Sequence, residues 1–145
     1  MKQKAGARAR LDDAQYQELL AFRTGLRRFL QWSAEAAAAA GLTPQQHQLL
    51  LAIRGHAGSG APTIGDVAAS LLLRHHSTVE LVDRAERIGL VARSVDDDDR
   101  RVVRLRLTAE GAAVLDQLSA AHREELARFA PVIERLARRE DQGTV

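Results

Sequence analysis

Apolar side chains recur at three- and four-residue intervals from Leu11 onward. Tyr16, Leu19, Leu20, Leu26, Phe29 and Leu30 fall on one helical stripe, and Ala36–Ala40 extend it. The spacing predicts one long helix from Leu11 to about Ala40, stopped by Gly41. At 1.5 Å per residue such a helix reaches about 45 Å, and the chain has little of its own to cover so long an apolar face. Thr43-Pro44-Gln45-Gln46 is a helix start, with Thr as N-cap, Pro at the first position and Gln three residues after the cap. The helix it opens carries Leu49, Leu50 and Ile53 and ends near His56–Gly58. A loop, Gly58-Ser59-Gly60-Ala61-Pro62, follows. Thr63 caps a third helix, Ile64–Leu71, with Asp66 placed to reach back to the cap. After a break at Leu72–His76, Ser77-Thr78-Val79-Glu80 reads as another capping box, and its helix runs through Val82, Ala85 and Ile88 to Gly89.

The period then changes. Leu90–Val95 and Val102–Leu107 are short, β-branched and partly alternating, and the intervening Asp96–Arg101 is entirely charged, so a β-hairpin with a charged tip is expected. Thr108-Ala109-Glu110-Gly111 caps a long helix bearing Ala112, Leu115, Leu118, Ala121, Leu126 and Phe129. Pro131 predicts a kink or restart, with Val132, Ile133 and Leu136 as a last apolar stripe before a polar tail. The fold class is mainly α with a small β-hairpin wing. The expected division is 1–42, 43–108 and 109–145, with no internal repeat.

Composition acts mostly by exclusion. The chain has 145 residues, one domain's worth, and no cysteine, which removes disulfide scaffolds, thiolate metal sites and thiol redox sensors. No apolar run approaches the roughly 20 residues of a membrane span, and the basic first ten residues lack the apolar core of a signal peptide, so a cytoplasmic protein with no membrane partner is expected. No His-Glu-x-x-His, nucleophile elbow or glycine-rich phosphate loop occurs, so neither an enzyme nor a cofactor is expected. His47, His56, His75, His76 and His122 show no ligand spacing, so no metal is expected. Asp96–Asp99 reads as a solvated turn pairing with Arg93, Arg100 and Arg101 rather than as a cation site. The net charge is only +2; residues 1–30 hold seven basic against three acidic residues, and 61–110 hold eight against nine. Total charge therefore says nothing about nucleic acid, and the four aspartates mask a local surplus of arginine.

Order says more than charge. Two short helices joined by a tight turn and followed at once by a hairpin form a winged helix-turn-helix, whose second helix fits the roughly 12 Å major groove. The residues at its start, Arg74, His75, His76, Ser77 and Thr78, can all donate hydrogen bonds, and Arg84 lies on a following turn. Glu80 faces DNA unfavourably; a capping box or an i,i+4 pair with Arg84 accounts for it, with acceptance from a cytosine amino group as the alternative. The hairpin puts Arg100 and Arg101 at a turn, where arginine can enter the electronegative minor groove.

These residues carry a resemblance. Leu73-Arg74-His75-His76-Ser77-Thr78-Val79-Glu80-Leu81-Val82-Asp83-Arg84-Ala85-Glu86-Arg87-Ile88-Gly89-Leu90-Val91, then Asp97-Asp98-Asp99-Arg100-Arg101, then Leu107-Thr108-Ala109-Glu110-Gly111, are similar to the MarR family of bacterial transcriptional regulators. The family's wing Asp-x-Arg falls on Asp99 and Arg101, with Asp99 orienting the arginine. The resemblance implies a homodimer in which 1–42 and 109–145 form a dimerisation platform and 43–108 is the lobe that reads double-stranded DNA. A palindromic operator, repression, and release by a small aromatic or phenolic effector are implied with it. Tyr16, Phe29, Trp32 and His47 are candidates for lining the effector pocket, with ordinary core packing as the alternative. The alternative functions are an architectural or nonspecific DNA-binding protein without effector, and a winged-helix module for protein contacts.

Overall fold

The structure is a computed structural model in which residues 10–140 are described. Its elements are α1 (Asp13–Ala39), α2 (Pro44–Arg54), α3 (Ile64–Leu71), α4 (His75–Arg87), β1 (Val91–Val95), β2 (Val103–Leu107) and α5 (Ala109–Glu140). The chain is thus mainly helical with one antiparallel hairpin, the class that the residue pattern predicts. It groups into two compact units. One spans Trp32–Glu124; the other joins the chain before Trp32 to the chain after Glu124.

Helix starts follow side-chain chemistry closely. Thr43 accepts from the Gln46 amide at 3.1 Å while Gln46 Oε1 accepts from the Thr43 amide at 3.0 Å. Thr63 and Asp66 repeat the arrangement at 3.2 and 2.9 Å. A third reciprocal cap, Asp12 with Gln15 at 2.8 Å each way, opens α1 and was not expected. The predicted cap at Ser77 does not form. Leu72 adopts the left-handed conformation (φ 55°), ending α3, and Arg74 is extended, so α4 begins at His75 with no side-chain cap. Ser77 therefore lies inside the first turn. No restart occurs at Pro131: α5 runs on through it. Pro131 is exposed, so the Ala127 carbonyl whose helical partner it removes is left on the solvent side.

In the unit Trp32–Glu124 the core is formed by Leu49 and Leu50 of α2, Val67 of α3, Leu81, Val82 and Ala85 of α4, Val91 and Leu105 of the hairpin, and Leu115 and Leu118 of α5. Burying one such side chain contributes about 1.5–3 kcal/mol. The hairpin register pairs Val91 with Leu107, Arg93 with Leu105 and Val95 with Val103, which puts these six residues on one face. Leu105 is fully buried. Arg93 instead turns onto α4, donating to Asp83 Oδ1 at 2.6 Å and Glu86 Oε1 at 2.9 Å. It fastens the hairpin to α4 and does not pair with the aspartate run, as the sequence had suggested. β2 is also bonded on its other edge: Leu105 N donates to the Pro62 carbonyl at 2.8 Å, and Thr63 bridges to Arg104.

The entry to α5 is a tight junction. The Thr108 hydroxyl donates to the Gly89 carbonyl at 2.6 Å and accepts from the Gly111 amide at 3.0 Å, while Thr108 N donates to Leu90 O at 3.1 Å. A Cβ on Gly111 would overlap the Leu90 carbonyl oxygen. The Leu-Thr-x-x-Gly run thus has a physical cause: the hairpin's first strand and the first turn of α5 touch backbone to backbone.

The same unit holds a cluster of rings. His122 lies between Trp32 (centroids 4.7 Å apart) and His47 (4.6 Å). Its Nδ1 donates to the Leu118 carbonyl at 2.7 Å, and its Nε2 lies 2.7 Å from Ser33 Oγ. His47 is buried, and its Nδ1 has no hydrogen-bond partner. Burial, with His122 adding to it, holds the His47 imidazole below its ordinary range.

In the other unit Phe129 stacks on Phe22 and Phe29, with ring centroids 6.0 and 6.4 Å apart. The Phe129 ring occupies the place a Cβ on Gly25 would need. Tyr16 (58% exposed), Leu20 (63%) and Leu30 (56%) of α1, and Leu126 and Ile133 of α5, remain open to solvent.

Gly111→Ala is expected to lower unfolding stability by about 1–3 kcal/mol, as backbone overpacking does, read from the urea midpoint. The pH dependence has a definite sign. A histidine whose folded pKa is depressed leaves the unfolded chain holding more protons, so stability falls as pH drops below histidine's usual value of about 6.5. Thermal melts between pH 7.5 and 5.5 are expected to show that loss, and His47→Leu is expected to flatten it.

Candidate nucleic-acid interface

α4 has two faces because its apolar residues recur at helical spacing. Leu81, Val82 and Ala85 are buried against the core. On the opposite side His76, Glu80, Arg84 and Arg87, at four- and three-residue steps, are all exposed, and Arg74 and His75 are exposed at the helix start. A helix of 13 residues is about 20 Å long at 1.5 Å per residue, enough to lie along one groove. Ser77 is half-buried.

Thr78 is fully buried, and its hydroxyl donates to the Arg74 carbonyl at 3.0 Å. It was expected to face a partner. It lies at helical spacing on the same stripe as the buried Leu81, Val82 and Ala85, and its oxygen is spent on the helix's own first turn. Thr78 therefore supports the exposed face of α4 from within and is not part of that face.

The wing tip is organised by carboxylates. Asp96 Oδ2 accepts from the amides of Asp98 (3.2 Å) and Asp99 (3.0 Å), and its Oδ1 accepts from Arg104 Nε (2.9 Å). Main-chain bonds from Asp96 N to Val102 O (2.9 Å) and from Val102 N to Asp99 O (3.0 Å) close the turn. Asp99 grips Arg101 in a fork, Oδ1 accepting from Nε and Oδ2 from Nη2, each at 3.1 Å, and Oδ1 also accepting from the Arg101 amide at 3.0 Å. The Arg101 side chain is nevertheless 91% exposed. One edge of the guanidinium is held while the rest faces outward. Arg100 is exposed beside it.

Both carboxyls are held below the usual carboxylate range: Asp96 by the hydrogen bond from Arg104 and then by the Asp99 amide, Asp99 by the side chain and then the amide of Arg101. The same fork raises the Arg101 guanidinium above its ordinary value. Groups of this kind stay charged as pH falls through the ordinary carboxylate range, and the tip loosens only below it.

Arg104 is the residue that pattern reading missed. Its Nη1 donates to the Ala61 carbonyl at 2.8 Å while its Nε holds Asp96. The signal was present: two-residue alternation places Arg104 opposite Ser94, on the face away from Leu105. The four expected effector residues are divided between the two units. Trp32 and His47 meet through His122 in one unit. Phe29 stacks on Phe129 in the other, where Tyr16 is exposed.

A family model described as MarR family matches residues 40–102, which run from the end of α1 through the wing tip. The HTH-type transcriptional repressor MdtR of Bacillus subtilis is 29% identical over 89 residues, 61% of this chain and 56% of that protein. The chain spans about half the length of the curated relatives it matches. Among solved structures, a MarR family protein from Bacillus stearothermophilus is 27% identical with a TM-score of 0.72, covering 92% of this chain and 97% of that one. The MepR–DNA complex of Staphylococcus aureus has a TM-score of 0.65 at 20% identity over 84% of this chain and 85% of that one, a likeness of fold. The winged segment, residues 40–102, thus matches the MarR family, and the chain is similar over nearly its full length to a solved MarR family protein.

Proposed function

We propose that the chain is a sequence-specific DNA-binding transcriptional regulator, a homodimeric repressor of a palindromic operator. One observation carries the reading. An exposed polar face of α4, led by Arg74, His75 and His76, stands in the same unit as Arg101, an arginine held outward at a free wing tip. In this reading α4 enters the major groove, where Ser77 and Arg84 add contacts, and Arg100 and Arg101 reach the minor groove beside it. Phosphate contacts supply most of the affinity, and base edges and groove width supply the choice of sequence. The kinship with MepR, solved on DNA, and with MdtR, named a repressor, supports DNA binding and repression.

A second copy is the proposed cover for the apolar residues exposed on α1 and α5, among them Leu20, Leu30, Leu126 and Ile133. Two-fold symmetry then gives half-sites about one helical turn apart. A small aromatic or phenolic effector is proposed to act through the Trp32–His122–His47 cluster, whose buried Nδ1 of His47 offers it an unused polar atom. Phe29 and Tyr16 remain candidates for the same effector.

Selection of bound duplexes from a random pool is expected to return a palindrome; retention of random duplex at equal affinity would show a nonspecific binder instead. Against the recovered operator, Arg101→Ala is expected to weaken binding roughly ten- to hundredfold. A gel-shift titration with unchanged affinity removes Arg101 from the contact set.

A further inference from the structure

We infer that Arg104 is a positioning residue for DNA reading: it fixes where Arg101 stands relative to α4 without itself touching DNA. The inference rests on the DNA-binding reading above, and its reasons lie in the wing's wiring. A two-stranded ribbon is flexible in twist and marginal on its own. This one is closed at the tip by main-chain bonds that do not involve the Arg104 side chain. What those bonds leave open is the direction in which the closed tip points.

Arg104 settles that direction through an unbroken chain of bonds. The Ala61 carbonyl, in the loop that leads into α3, accepts from Arg104 Nη1 at 2.8 Å. Arg104 Nε donates to Asp96 Oδ1 at 2.9 Å, and Asp96 Oδ2 collects the amide of Asp99 at 3.0 Å. Asp99 in turn grips Arg101. The α3 entry is therefore linked to the outward guanidinium across the hairpin by the side chains of Arg104, Asp96 and Asp99 together with the Ala61 carbonyl and the Asp99 amide. Charge and exposure agree with the division of labour. Arg104 is 25% exposed and Asp96 22%, against 91% for Arg101. Two Arg104 donors are committed to protein acceptors, whereas the outer edge of Arg101 is uncommitted.

The assignment yields a sign that plain electrostatics does not. Removing a negative charge from a DNA-facing tip should strengthen binding. Asp97 is exposed at that tip and is not a link in the chain of bonds. Asp97→Asn is thus expected to bind operator slightly more tightly than wild type. Asp96→Asn removes the same charge and is expected to bind several-fold more weakly, because the charge-assisted bond to Arg104 is weakened. Arg104→Gln is expected to lose roughly tenfold on operator, and Arg104→Lys, which keeps the charge but not the two-pronged fork, is expected to lose nearly as much. Neither is expected to change the number of phosphates neutralised, so the slope of log affinity against log salt stays at the wild-type value.

The deciding measurement is a double-mutant cycle on operator DNA with the full chain, repeated on random duplex. If Arg104 acts through Arg101, Arg104→Gln costs little in an Arg101→Ala background. An equal loss in both backgrounds, or a shallower salt slope for Arg104→Gln, makes Arg104 a direct phosphate contact and overturns the inference. Tighter operator binding by Asp96→Asn overturns it as well. A wild-type chain that binds no duplex even at low salt overturns the DNA reading instead. The clamp is then judged in the free protein, where Arg104→Gln must shift the amide resonances of Asp98 and Asp99, and unmoved resonances refute it.

Discussion

The orientation of the wing depends on how a hairpin of five-residue strands is kept from moving independently of the helices beside it. Three anchorages hold it besides the link from Arg104 to Ala61. Leu105 is sunk into the core and bonded through its amide to Pro62. Arg93 ties the first strand to Asp83 and Glu86 of α4. Thr108 and Gly111 weld the end of the hairpin to the first turn of α5. None of these groups reaches outward, yet each fixes a different degree of freedom of the wing. Buried surface supplies most of the energy, and the polar links choose among the orientations that burial alone would permit.

The acidic run at the tip has a related part. Four adjacent aspartates on a protein proposed to bind a polyanion look like a contradiction when charges are only counted. Two of them are consumed as acceptors, Asp96 for two amides and a guanidinium and Asp99 for the fork on Arg101. Their charge is countered where it stands, and what they hold projects outward as positive. Side-chain carboxylates here do the work that glycines and main-chain bonds do in shorter turns.

Much of this was legible in the residues, and the parts that were not share a cause. The caps at Thr43 and Thr63 are local chemistry, readable from a few adjacent residues, and both formed. The order of helices and hairpin followed from the change of period. The start of α4 was misread because Ser77–Glu80 satisfies the same local rule, while the left-handed Leu72 and extended Arg74, set by how α3 packs on α4, began the helix earlier. Thr78 faces inward because it shares the stripe of Leu81, Val82 and Ala85. A restart at Pro131 was expected as one outcome because proline removes a bond, but an exposed position lets a helix run on through the loss. The partners of Arg93 and Arg104 lie ten and 43 residues away, at Asp83 and Ala61, beyond any motif.

The anchorage of the wing also constrains how such a protein can change its length. The side bonded to Ala61, Pro62 and Thr63 has a fixed register, so an insertion there would slip that segment along β2 and break its bonds to Leu105 and Arg104. Asp97 and Asp98 lie beyond the last rung, exposed, and the Asp98 amide alone is called on by Asp96. Added residues at that point would lengthen the reach of the tip and leave the root where it is. The length of the tip and the angle of the wing are thus set in separate places along the chain, and one can drift while the other is held.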